Sequence, residues 1–429
     1  MDRGLAPVSS GPSTTTSQRR RGSAAAIVVA LLVGGCGSAT VAPGPSATSR
    51  ASQSAAAAPS IFSTVSTPPA SSASSSSHAR SGINGKIVFY RTDDARSTNT
   101  PFMIDADGSN EIGLHDGGLM PGEWSPDGRS LLVAHLVTDP SPLPGAETAW
   151  IRPATVNADG SGFKVLDAYP DRKMQLAPVG WSGDGSRILL QSGGEDVIES
   201  DMGLYTARSS DGADLVRIMD LPPGTNDIFL MSPDGSKILV ITSTSDNDRA
   251  LFLINADGTG HVDLTPPGTN AGNLEFYDGM AADWSPDGSR LAFGAATRVG
   301  DPSGLYVLYP DGKGLHRIVS PDIGAVSAQW SPDGDHIAFT SKLRAEAQVW
   351  VVQQNGTNLR QLTNGADGST SIIARWSPDG KKLLFQRRLS NKVTLWTMNA
   401  DGSGQKQLTT TPLAAEYVGG YAWWPAIGN

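Results

Sequence analysis

The chain has 429 residues, with 33 Lys plus Arg against 42 Asp plus Glu, a formal net charge of −9, one Cys, 49 Gly and 29 Pro. So many turn-forming residues argue against a helix bundle or coiled coil. A negative chain whose only basic tract is Arg19, Arg20 and Arg21 lacks the clustered cations that displace phosphate counterions from DNA or RNA, and a single Cys closes no intramolecular disulfide.

In chain order, the basic tract precedes an apolar run from Ala24 to Val33. The run is too short to cross a ~30 Å bilayer as a helix, but it has the length of a signal-peptide core. It stops at Val33-Gly34-Gly35-Cys36. This segment resembles the lipobox of bacterial lipoproteins, in which small residues precede a Cys that is diacylated and becomes the mature N-terminus. The resemblance implies a lipoprotein signal peptide at 1–35 and lipidation at Cys36. It also implies a place in the cell envelope, either on the outer face of the cytoplasmic membrane or in the periplasm. An ordinary secretory signal with an unrelated Cys is the alternative. Removing 1–35 takes away four basic residues and one acidic residue and leaves 29 against 41, a net charge of −12. Anionic lipid repels such a surface, so acyl chains would hold the protein at the membrane.

From Gly37 to Gly82 the sequence is almost entirely Ser, Ala, Thr and Pro, with little to bury. Residues 36–82 are therefore expected to form a disordered tether, with a root-mean-square reach of roughly 35–40 Å as a flexible coil.

Residues 83–429 are one repeat. Trp-Ser-Pro-Asp-Gly stands at 124–128, 284–288, 330–334 and 376–380, with variants at Trp181-Ser-Gly-Asp-Gly185 and Met231-Ser-Pro-Asp-Gly235. Trp423-Trp424-Pro425 is a degenerate seventh copy. An apolar, strand-forming run follows each full motif, such as Ile337-Ala338-Phe339. A second turn recurs at Asp107-Gly108, Asp159-Gly160, Asp211-Gly212, Asp257-Gly258, Asp311-Gly312, Asn355-Gly356 and Asp401-Gly402. Asp-Gly and Asn-Gly between apolar runs are strong hairpin signals, because tight hairpins need a positive φ that Gly tolerates. Each unit thus predicts four antiparallel strands, A to D, with A ending at the Trp. Seven such sheets set radially make an all-β, seven-bladed β-propeller.

The first unit, Lys86 to Leu114, has no Trp strand before it, and the last segment, Tyr417 to Pro425, has nothing after it. Joined, the two complete one blade and clasp the ring.

The Trp-Ser-Pro-Asp-Gly turn, the strand after it and the Leu-Thr pairs at 264–265, 362–363 and 408–409 are similar to TolB-type, WD40-like propeller repeats. The resemblance covers about residues 83–429. It implies the propeller fold, but its relatives range from periplasmic scaffold proteins to propeller domains of peptidases.

The chemistry of known catalytic motifs is not apparent. A peptidase partner domain would carry a Gly-x-Ser-x-Gly elbow, and none is present. The six His are scattered, with no pair at zinc-site spacing. The Asp-x-Asp-Gly strings lack the completion of a calcium loop. No metal, cofactor or catalytic residue is therefore expected.

Topology places the A–B and C–D turns on one rim, and all the length variation on the other. The long segments are 136–149, 167–178, 193–203, 220–228, 266–282, 297–303 and 410–421, where a scaffold carries binding residues. Glu195 and Asp196 belong to an acidic cluster on that rim, and Tyr277 and Asp278 put an aromatic beside an acid. The residues just before the motif Trp include Glu123, Asp283, Gln329 and Arg375. Strand alternation turns these toward the central channel, so they complete the candidate ligand site. The expectation is a monomeric, membrane-anchored module that binds a protein, peptide or glycan. The alternative is a glycan lyase or hydrolase with its site at the channel mouth.

Overall fold

The computed structural model describes residues 85–93, 98–114, 119–140, 147–168, 174–192, 201–221, 227–243, 249–264, 282–295, 303–341, 347–390, 392–409 and 422–423. The signal and tether readings, Cys36, Glu195, Asp196, Tyr277 and Asp278 all lie outside them. The described residues form seven four-stranded antiparallel sheets, which makes the chain a seven-bladed β-propeller.

Blade 1 begins with β1 (Lys86–Asp93), β2 (Thr98–Asp105) and β3 (Ile112–Gly113). Blade 2 is β4 (Leu119–Trp124), β5 (Ser130–Pro140), β6 (Glu147–Asn157) and β7 (Lys164–Val165). Blade 3 is β8 (Ala177–Trp181), β9 (Arg187–Ser192), β10 (Gly203–Arg208) and β11 (Val216–Asp220). Blade 4 is β12 (Ile228–Met231), β13 (Lys237–Ser243), β14 (Arg249–Asn255) and β15 (Val262–Asp263). Blade 5 is β16 (Ala282–Trp284), β17 (Leu291–Ala295), β18 (Gly304–Leu308) and β19 (His316–Val319). Blade 6 is β20 (Ala325–Trp330), β21 (His336–Ser341), β22 (Gln348–Gln353) and β23 (Arg360–Gln361). Blade 7 is β24 (Thr370–Trp376), β25 (Lys382–Leu389), β26 (Lys392–Asn399) and β27 (Lys406–Gln407). The last strand, β28 (Ala422–Trp423), returns to blade 1.

Both faces of the inner strands are apolar, so a lone sheet would leave one face wet. In β21, Ile337 and Phe339 pack into the seam with blade 5, while Ala338 packs into the seam with blade 7. Every blade boundary carries such a core. Trp124, Trp284, Trp330 and Trp376 each lie in the seam with the preceding blade, as blade-to-blade packing requires.

The two recurrent turns lock the tight-turn rim. In every full A–B motif the Ser hydroxyl donates to the Asp carboxylate, as Ser125 does to Asp127 at 2.6 Å and Ser331 to Asp333 at 2.5 Å. The same hydroxyl accepts the main-chain N–H five residues on, as from Lys237 to Ser232 at 2.9 Å. In the C–D turns Asp159, Asp257 and Asp401 hold the Ser or Thr two residues later, and those hydrogen bonds keep their carboxyls below the usual range.

Neighbouring A–B turns also touch. A Cβ added at Gly185, Gly288, Gly334 or Gly380 would stand 3.5–3.8 Å from the ring of the preceding turn's Pro126, Pro233, Pro286 or Pro332. The seam between blades 3 and 4 departs from this pattern. Gly183 replaces the motif Pro there, and the next turn closes in until an added Cβ at 183 would lie 1.8 Å from the Pro233 carbonyl oxygen. That oxygen is main chain and cannot turn aside. Restoring the repeat's own residue should therefore harm the fold. Gly183→Pro is expected to cost about 1–3 kcal/mol, read as a melting temperature several degrees below the parent.

The clasp expected from the sequence is present: β28 pairs antiparallel with β1, Trp423 opposite Ile87 and Ala422 opposite Val88. It is reinforced outside the strand. Ile87, Phe89 and Ile104 of blade 1 share a core with Leu384, Val393, Leu395 and Leu408 of blade 7, and Lys406 Nζ donates to the Asp107 carbonyl at 2.7 Å. Truncation after Thr411 removes β28 and bares the inner edge of β1, whose Ile87, Val88 and Phe89 are fully buried. Each such side chain contributes roughly 1.5–3 kcal/mol when buried. The truncated chain should aggregate or melt far below the full chain; a melting temperature within a few degrees of it would mean that β28 does not close the ring.

Candidate functional site

Each inner strand runs from the rim of long connections toward the tight-turn rim and ends at its Trp, or at Met231 in blade 4. Glu123, Asp283, Gln329 and Arg375 occupy the penultimate positions of β4, β16, β20 and β24. At about 3.3 Å per residue, Glu123 stands ~13 Å along β4 from Leu119. The four therefore sit at the tight-turn end of the channel. The loop-rim members Glu195, Asp196, Tyr277 and Asp278 lie outside the described residues.

The structure brings the four channel residues together. Arg375 Nη2 lies 3.7 Å from Glu123 Oε1, and Arg375 Nη1 donates to Gln329 Oε1 at 3.4 Å. Asp283 Oδ2 accepts the main-chain N–H of Trp330 at 2.8 Å. Local backbone irregularity helps aim these groups: the pairing register shifts between Pro121 and Trp124, Val326 and Gln329, and Ile373 and Arg375. In β20 the shift carries Ser327 to a φ of 56°. The remaining positions of the ring, Gly180, Leu230 and Ala422, bring no charge.

Burial dominates the titration of Asp283 and pushes its carboxyl up to about 7. The Trp330 N–H, the Arg375 charge and the Trp284 N–H pull the other way, while the Glu123 charge adds to the rise. Asp283 is therefore an acid group poised near neutrality beside a guanidinium and a second carboxylate. Among the described residues no three His, Cys, Asp or Glu side chains are grouped as a metal site would need.

One element of this end of the channel escaped the sequence reading. The indole N–H of Trp181, Trp284 and Trp376 donates to the main-chain carbonyl of the preceding blade's Glu123, Leu230 and Gln329, at 3.0, 3.2 and 3.2 Å. The regular position of the Trp directly after the channel residue was the available signal. Trp330 breaks the series, since its buried indole N–H has no partner among the described residues. At that seam the Asp283 carboxylate takes the Trp330 main-chain N–H instead.

The sequence of residues 269–416, which spans blades 5 to 7, matches the TolB beta propeller domain family. The match covers about a third of the chain, and the seven sheets make the whole a seven-bladed β-propeller. No curated protein matches the chain. The β-propeller domain of the Trilobed protease from Pyrococcus furiosus, described as having an open velcro topology, is similar in fold. It has a TM-score of 0.54 and 14% identity over 77% of this chain and 97% of that one. A prolyl endopeptidase structure matches with a TM-score of 0.53 and 12% identity over 76% of this chain and 48% of that one. TolB from Acinetobacter baumannii gives a TM-score of 0.45 and 17% identity over 79% and 82%.

The Asp283 environment fixes a pH dependence. A free Asp releases its proton near 3.9, so between about 4 and 7 the folded chain holds a proton that the unfolded chain has lost. Stability then falls as pH rises through this window, and the loss is complete once Asp283 ionises in the folded state. Asn at 283 keeps an acceptor for Trp330 and carries no charge. Asp283→Asn should melt with the parent at pH 4 and above it at pH 8.5, by roughly 1–3 kcal/mol after allowance for solvent screening. Parallel melting curves at both pH values would refute the assignment.

Proposed function

We propose that the protein is a membrane-tethered module of the cell envelope whose propeller presents the face of B–C and D–A connections to a protein, peptide or glycan. One observation carries this reading. The tight-turn rim is built from the same two hydrogen-bonded turns repeated blade after blade, so variation is left to the opposite face. A rigid ring that holds variable loops on one side is a binding scaffold. The signal-like segment, Cys36 and the Ser/Ala-rich stretch to Gly82 supply the anchor and the reach.

Arrays of polysaccharides and peptides probed with the full chain would identify a ligand. Joint replacement of Glu195, Asp196, Tyr277 and Asp278 by Ala should then weaken binding at least tenfold while leaving the melting temperature unchanged. Retained affinity would reject the loop face as the site.

The raised carboxyl of Asp283 beside Glu123 and Arg375 favours one second reading, a glycan lyase or hydrolase acting at the channel. Turnover of a polysaccharide that Asp283→Asn abolishes would establish it in place of a binding-only role.

For the anchor, Cys36→Ser should leave the propeller folded and release it from membranes, because position 36 lies far before the first strand. A variant that still pellets with membranes after a high-salt wash would remove lipidation at Cys36 from the proposal.

A further inference from the structure

Three side chains at the tight-turn end of the channel differ in how firmly they are held. Asp283 is a fixed post, because its Oδ2 is fastened to the Trp330 main-chain N–H at 2.8 Å. Glu123 is a loose post, with nearly half its side chain exposed and only a 3.7 Å contact to Arg375. Arg375 is held at neither end, since its contacts of 3.7 Å to Glu123 and 3.4 Å to Gln329 are both long. A settled guanidinium–carboxylate pair closes to about 2.7–2.9 Å. Glu123 and Arg375 are the charged groups whose fields reach Asp283. Gln329 adds a neutral amide, and the neighbouring inner-strand position on β12 is the apolar Leu230.

We propose that Arg375 is the moving arm of a proton-controlled latch across the channel: it stays with Glu123 while Asp283 carries a proton, and turns to Asp283 when that proton leaves to solvent. The movement transfers an ion pair from blades 7 and 2 to blades 7 and 5. Gln329, on the blade between 5 and 7, is the pivot that Arg375 touches in the starting arrangement. Exposure allows the exchange at both ends, because released Glu123 is rehydrated and one third of the Arg375 side chain already meets solvent. At the seam between blades 5 and 6 the Trp330 indole lacks the inter-blade bond made by Trp181, Trp284 and Trp376, and the Asp283 carboxylate supplies the inter-blade bond to Trp330 in its place. The latch stands independently of what the loop face binds.

The test follows the Arg375 side-chain Nε–Hε resonance of the ¹⁵N-labelled full chain from pH 5.5 to 8.5, assigned by its loss in Arg375→Lys. A single titration with a midpoint near 7 is expected. Asp283→Asn should hold the resonance at its low-pH position throughout. Glu123→Gln should move the midpoint to lower pH, because a negative neighbour of Asp283 is gone. A resonance that is flat with pH in the parent overturns the latch, as does a titration that persists in Asp283→Asn. Should Asp283→Asn fail to fold, a midpoint in Glu123→Gln that stays or rises overturns it alone.

Discussion

The structure depends on the seam between neighbouring blades. A four-stranded blade has two apolar faces, and residues that alternate along a strand supply them separately: Phe293 serves the seam with blade 4, while its neighbour Ala292 serves the seam with blade 6. A single blade would therefore be soluble on neither side. Stacking satisfies one face of each sheet, and only a closed ring satisfies the last. The terminal Trp of the inner strand carries much of this, since it fills the seam and, at Trp181, Trp284 and Trp376, also ties its indole to the preceding backbone.

The turns convert that packing into fixed geometry. Ser, Asp and Gly close each A–B loop on itself, and the Pro and Gly of successive loops rest against one another around the rim. C–D turns extend the same principle outward, with Gly212 and Gly258 pressed on the carbonyls of Leu166 and Ile218 in the preceding blade. Two Thr hydroxyls after the outer strands, Thr363 and Thr409, accept the N–H of Val349 and Leu395 and fasten those strands to the third strand of their own blade. One rim is thereby rigid in every blade, and the chain has freedom to vary only at the other.

The ring also explains why charge is tolerated near its axis. Seven inner strands leave a channel between them, and Glu123 and Arg375 keep a share of solvent there. Asp283 does not escape so easily. Its side chain is half-buried against the Trp330 backbone, and the nearby Arg375 charge does not offset the lost hydration. A neutral-range acid results from position alone, with no feature of the local sequence to announce it.

The architecture was legible in the sequence because it is written in local chemistry repeated many times. Asp-Gly and Pro-Asp-Gly specify turns through backbone sterics, alternating apolar residues specify strands, and their even spacing specifies blades. The unpaired first and last segments specify closure. The residues facing the channel were legible too, since strand alternation needs only the register of the Trp. What those residues do to one another was decided by tertiary structure. Arg375 meets Glu123 across 252 positions of chain, and Trp330 meets Asp283 across 47, distances over which no sequence pattern fixes a side-chain contact. The burial that raises Asp283 and the close approach at Gly183 both arise from how whole blades settle against each other. Such packing is the sum of many weak contacts, and it exists only once the ring is closed.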